Sequence, residues 1–204
     1  MTDTKLADRA VDAALRLASE KSWDDVSLAE IAREAQLDLA DFYGELDIDA
    51  VLSAIDRRFD LACSSEPVST DDKLKDRIFE VTMLRFEAME DHRAALMSIR
   101  KSWKYNPVER LKAAKRRTRT ARWILTCAEA DFAGAGPRAV LLSGILSRAE
   151  AAWEKEDSPD FTRTMAHLDR DLRDVNDFAG RIKKFTSSFK AKKKETTEAE
   201  SPAS

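Results

Sequence analysis

Glycine and proline are scarce, with five of each among 204 residues, which starves a β-rich fold of turn residues and suits long helices. Cysteine occurs twice, at Cys63 and Cys127, with no CxxC pair and no Cys/His cluster around either. That excludes a zinc site and a disulfide framework, and both thiols read as reduced, small apolar residues. The two histidines, His92 and His167, lie far apart, and no HExxH, GxSxG, P-loop or GxGxxG run occurs. The sequence therefore offers no catalytic residues, no metal ligands and no cofactor site, and it reads as a non-enzyme. No stretch reaches the roughly 18 apolar residues of a spanning helix, and the polar segment Met1 to Asp8 lacks the apolar core of a signal peptide. The expected location is cytoplasmic.

What the chain does contain is alanine, leucine and charge: Asp, Glu, Lys and Arg make up 36% of it. The net charge of -3 hides an asymmetry, because residues 1–64 are acidic whereas 100–122 and 181–194 are basic. Leu6, Ala10, Ala13, Ala14 and Leu17 recur at helical spacing and predict a helix over about 3–21. Ser27 and Glu30 form a capping box that opens a short helix over 28–34. A second short helix is expected over 38–45, and a longer one from about 48 to 63 carries Val51, Leu52, Ile55 and Phe59. Five more helices are expected at about 71–89, 92–103, 107–131, 137–155 and 159–185, with breaks at Asn106-Pro107 and between Gly134 and Pro137. The Lys-, Glu-, Thr- and Ser-rich end from Ser187 reads as a disordered tail.

The run from Ala10 to Ala18, then Val26-Ser-Leu-Ala-Glu-Ile-Ala-Arg-Glu-Ala35, then Phe42-Tyr43, resembles the DNA-binding module of the TetR regulator family. The resemblance implies an all-α, TetR-like fold. It places a three-helix helix-turn-helix domain at 1–55, a helical ligand-binding and dimerisation domain at 56–180, and a basic amphipathic helix end with a tail at 181–204. The DNA-reading helix would carry Asp38, Asp41, Phe42, Tyr43 and Glu45. Gln36 stands where the family turn usually has Gly, and Asp49 stands where a Lys commonly meets a phosphate. From Ser27 to Asp49 there are seven carboxylates (Glu30, Glu34, Asp38, Asp41, Glu45, Asp47, Asp49) against one base, Arg33, a balance of -6. Phosphate neutralisation dominates DNA affinity, so this surface disfavours DNA as a partner. An effector-controlled, DNA-binding regulator stays as the alternative reading.

Further along, Trp153 to Val175 contains Ser158-Pro-Asp-Phe161, Thr164 and Leu168-Asp-Arg170. It resembles the end of the lipid-binding accessory proteins of ubiquinone biosynthesis, which share the TetR fold and carry "W-x-x-D-x-SPDF-x-x-T-x-x-FLDRRL-x-DV" there. The upstream "STDFNWY-x-KR" pattern of those proteins is replaced by Ala130 to Arg138. The resemblance implies a homodimer that binds an apolar small molecule or lipid. A pocket would be lined by Met83, Phe86, Leu96, Met97, Trp103, Trp123 and Cys127, although Met and aromatics at this spacing also suit plain core. A dimer seam would use Leu142, Ile145, Ala149, Trp153, Leu168, Leu172 and Val175, with core packing as the other reading of that stripe. Ile182, Phe185 and Phe189, flanked by Lys183 and Lys184, would suit peripheral contact with an anionic membrane, against a solvated helix end.

Overall fold

The computed structural model describes residues 2–130 and 135–173. Among these there are eight α-helices, two 3-10 helices and no strand. The helices are α1 (Thr2–Glu20), α2 (Leu28–Glu34), α3 (Ile48–Ala62), α4 (Leu74–Glu90), α5 (Arg93–Ser102), α6 (Pro107–Cys127) and α7 (Ala135–Trp153), followed by α8, helical over 162–173. The expected all-α architecture is what the chain adopts.

Helix α1 buries Ala10, Val11, Ala13, Ala14, Leu15 and Ala18, and its four alanines let α3 and α5 pack closely against it. Arg58 of α3 pairs with Asp12 and also donates to the Asp8 carbonyl at 3.1 Å, tying α3 to the first helix. Trp23 is buried in a short 3-10 turn, and its backbone N–H donates to Ser98 Oγ of α5 at 3.0 Å. The Ser27–Glu30 capping box forms as expected at the start of α2. The Lys21 ammonium, 2.7 Å from Glu30, and the two Ser27 donors hold the Glu30 carboxyl down at about 2.

Helix α2 ends in a Schellman motif. Gln36 N–H donates to the Arg33 carbonyl at 3.0 Å and Leu37 N–H to the Ala32 carbonyl at 2.9 Å. The geometry places Gln36 at φ 55°, a left-handed conformation that Gly adopts without a Cβ penalty. Arg9 of α1 reaches over this end, donating to the carbonyls of Ala35 at 2.6 Å and Gln36 at 3.0 Å. The same motif closes α6, with Glu129 at φ 52°.

Two expected elements differ. The helix predicted over 38–45 is a 3-10 turn of four residues, Leu39–Phe42, followed by Gly44 at φ 81°. Asp38 caps it by accepting from Ala40 N–H at 2.9 Å. Asp38 marks where the turn starts, and Gly44 in the left-handed region ends it within one turn. The helix predicted to start at 159 starts instead at 162, because Phe161 sits at φ 53° and breaks the run. Its N-terminal cap comes from Glu156, which accepts from Thr164 N–H at 2.8 Å and Thr164 Oγ1 at 3.0 Å. The acid and the threonine of the Trp153–Val175 motif are thus partners in one cap. Helix α3 runs unbroken through residues 55 and 56, where the first domain boundary was expected.

Replacing Gln36 with Gly is expected to stabilise the chain by about 0.5–1 kcal/mol, relief of the left-handed penalty being partly offset by a freer unfolded chain. Thermal unfolding followed by circular dichroism should show Tm rising by roughly 1–4 °C; an unchanged or lower Tm contradicts the cap assignment.

Candidate functional site

The element expected to read DNA is small and acidic. Phe42, expected on the DNA-reading face, is buried in the core at 2% exposure. Tyr43 is 92% exposed, Asp41 and Glu45 are exposed, and no Lys or Arg lies between Asp38 and Asp47. Five of the seven carboxylates have structural partners. Glu30 closes the capping box, Glu34 pairs with Arg16 at 2.8 Å, Asp38 and Asp47 cap helices, and Asp49 pairs with Lys112 of α6 at 2.7 Å. Asp41 and Glu45 have none among the described residues.

The residues expected to line one apolar pocket do not converge. Phe86 packs on Trp153 with ring centroids 6.3 Å apart. Met83 faces a groove between α4 and the turn at Phe161. Met97 lies in an open polar cleft beside α1, while Trp123 lies on the opposite side of α6, in a groove shared with α3. Leu96 and Trp103 reach a central cavity of about 40 Å³, and Cys127 is half-buried at the end of α6. A cavity of that size holds a water or a few, well below the roughly 300–1,000 Å³ of a small-molecule site.

That centre is ionic rather than apolar. The Arg85 side chain of α4, 6% exposed, donates from Nε to Asp60 Oδ1 at 2.9 Å and lies 3.6 Å from Asp56 and 3.8 Å from Glu150. Glu150 of α7 also receives Arg100 of α5 and, at 2.8 Å, Arg117 of α6. Arg116 of α6 donates to Asp56 at 3.1 Å and lies over the Trp103 ring at 5.2 Å. Thr120 Oγ1 donates to Asp60 at 2.9 Å. At this centre two buried donors, Arg116 Nη2 and Trp103 Nε1, have no partner among the described residues.

The electrostatics split the two central acids. Burial pushes the Asp56 carboxyl up to about 6, with Asp60 and Glu150 adding to the shift against the pull of Arg85 and Arg116. Burial acts on Glu150 in the same direction, but Arg117, Arg100 and Arg85 outweigh it and hold the group at about 2. Burial also raises the Cys63 thiol to about 12, which leaves it unreactive at neutral pH. No group of His, Cys, Asp and Glu able to hold a metal ion occurs among the described residues.

The buried cluster was not anticipated from the sequence. A signal was present: Asp56 and Asp60 continue the stripe of Leu52, Ile55 and Phe59, Arg85 falls between Thr82 and Phe86, and Glu150 follows Ala149. Among the residues expected at a dimer seam, Leu142, Ile145, Ala149, Trp153, Leu168 and Leu172 are buried within the single chain, so in one protomer they are core. Val175 and the basic segment with Ile182, Lys183, Lys184, Phe185 and Phe189 lie outside the described residues. Val140 and Leu141 of α7 are instead 63% and 47% exposed. No described helix is long and apolar enough to cross a membrane.

Asp56 binds its proton more tightly when folded, so the stability it contributes is present below about pH 4 and lost as pH rises through about 6. Glu150 has the opposite sign: its contribution is present above about 4.5 and lost as pH falls toward 2. Urea denaturation should therefore show Asp56→Asn gaining stability relative to wild type between pH 5 and pH 8, and a difference that does not change with pH refutes the assignment. Glu150→Ala, which leaves the Arg117 guanidinium without its acid and takes one acid away from Arg85 and Arg100, is expected to cost about 3–5 kcal/mol in urea denaturation at pH 7.

Comparison with known proteins agrees with this architecture. The COQ9 family model matches residues 138–179, the stretch that holds most of α7, the Glu156–Thr164 cap and α8. The crystal structure of a TetR transcriptional regulator from Nitrosomonas europaea ATCC 19718 is similar to the chain at TM-score 0.65 and 23% identity, covering 82% of this chain and 96% of that one. A TetR transcriptional regulator from Rhodococcus sp. RHA1 is similar at TM-score 0.63 and 15% identity, covering 85% and 96%. No curated protein matches the chain in sequence. The chain has a TetR-like, all-helical fold with a COQ9-like C-terminal segment.

Proposed function

We propose that this chain is a non-enzymatic homodimer on a TetR-like scaffold that binds an apolar, lipid-like ligand and does not read DNA. The observation that carries the reading is the four-residue 3-10 turn in place of a recognition helix, exposing Leu39, Asp41, Tyr43 and Glu45 and no cation. A recognition helix needs donors for base edges and cations for phosphates, and here Tyr43 is the single exposed donor side chain. The ligand half of the reading draws on the resemblance of the Trp153–Val175 motif to lipid-binding accessory proteins. The ionic centre has no room for such a ligand, so the binding site is placed in a surface groove. Two grooves have suitable volume, about 570 Å³ between α3 and α6 and about 580 Å³ between α4 and Phe161.

Mass spectrometry of the purified protein under native conditions should find co-purified lipid, and selection from random duplexes should enrich no sequence. An enriched palindrome bound with steep salt dependence overturns the reading in favour of a regulator. The dimer is assigned to the exposed face of α7. Val140→Glu combined with Leu141→Glu is expected to give a monomer by analytical ultracentrifugation with helicity unchanged, whereas a persistent dimer places the seam elsewhere.

A further inference from the structure

The groove between α3 and α6 differs from the one at Phe161 in its charge. Its wall is formed by Ala50, Ala54, Leu61 and the indole of Trp123, with Leu61 and Trp123 both exposed to solvent. The indole is held in place by its own N–H, which donates to the Asp60 carbonyl at 2.7 Å. Three guanidiniums share this wall: Arg57 from α3, and Arg116 and Arg119 from α6. Arg57 and Arg119 are exposed and make no ion pair or hydrogen bond among the described residues. Arg116 is 6% exposed and its buried Nη2 has no acceptor.

An orphaned guanidinium donor next to an apolar surface is costly unless an acceptor completes it. The two acids in the same wall are already engaged: Asp60 with Arg85 and Thr120, Asp56 with Arg116 Nε and Arg85. What the groove lacks is one further acceptor of negative charge, attached to something that covers Leu61 and Trp123. From Ala50 to Leu61 the groove follows α3 for about 16 Å at the helical rise per residue, with Arg57 between the two ends.

We propose that this groove binds a free single-chain amphiphile with an acidic head, its chain along Ala54, Leu61 and Trp123 and its head on Arg57, Arg116 and Arg119. The inference rests on the lipid-binding reading and assigns its site and head-group chemistry. A carboxylate on these guanidiniums forms ion pairs with bidentate hydrogen bonds, which a neutral hydroxyl does not. An alkyl chain removes the exposed indole face and Leu61 from water. The Phe161 groove offers a chain the same volume but no cation in its wall, only Glu66, Glu80, Glu87 and Asp160.

The test is calorimetric titration of the full chain with dodecanoate and, separately, with dodecanol, both below their aggregation concentrations. One dodecanoate should bind per chain, with the alcohol weaker by roughly tenfold or more. Arg57→Gln with Arg119→Gln changes only exposed, unpaired side chains; it should bring the acid down to the level of the alcohol and leave the alcohol unaffected. Leu61→Glu should abolish both. Equal affinity for acid and alcohol, or an acid affinity untouched by the double substitution, overturns the acidic head while the lipid-binding reading stands. Full binding by Leu61→Glu removes the ligand from this groove. If neither compound binds and the purified protein carries no lipid, both this inference and the lipid-binding reading fall.

Discussion

A buried arginine must be balanced, and the second half of this molecule is arranged around that requirement. Arg85 lies at the meeting point of α3, α4 and α7, facing Asp60, Asp56 and Glu150. Each acid then needs its own environment. Glu150 brings in Arg100 and Arg117, Asp56 brings in Arg116, and Thr120 completes Asp60. Helices α3 to α7 are thereby linked through one charged network whose geometry leaves no space for an apolar cavity. Such a network adds little net stability compared with well-packed apolar residues, but removal of any member is expensive. It constrains how these helices pack against one another more than it strengthens them.

The same economy of charge runs through the N-terminal module. Its acids mostly serve the fold: they close the capping box, cap the short 3-10 turn and α3, and tie α3 to α6 through Asp49 and Lys112. Asp49 is thereby a strut between α3 and α6. The N-terminal module packs around the buried Ile31, Phe42 and Leu46, while its exposed surface at 39–45 has little to offer a polyanion. At the other end, the Trp153–Thr164 motif proves to be a device for chain geometry. The Trp153 indole donates to Glu90 at 2.8 Å beneath Arg93, and Glu156 caps α8. Binding chemistry is therefore sought on the outer faces of the helices, where Trp123 and Leu61 meet Arg57 and Arg119, which are unpaired among the described residues.

Much of the fold was legible in the residues. The apolar spacing in α1, the Ser27–Glu30 box, Asn106-Pro107 at the start of α6 and the stripe in α3 located their helices within a few residues, since these signals depend on neighbours three or four positions away. Gln36 and Phe161 were harder, because a left-handed conformation at a residue with a side chain is imposed by the chain on either side. The candidate pocket was the least legible. Met83, Met97 and Trp123 share a composition suited to a cavity, but they point to three different faces of the molecule.

By itself, then, the sequence determined an all-helical chain with a TetR-like order of elements, an acidic reading surface and a COQ9-like end, because periodicity, capping and charge are local properties. Only the tertiary structure decided that the expected reading helix is a single 3-10 turn and that Arg85, Asp60 and Glu150 are buried together with Asp56 beside them. It also decided that Arg57, Arg116 and Arg119 border an apolar groove. Whether a charge faces water or a partner depends on the side chains that distant helices bring to it, and that information is absent from any one segment of the chain.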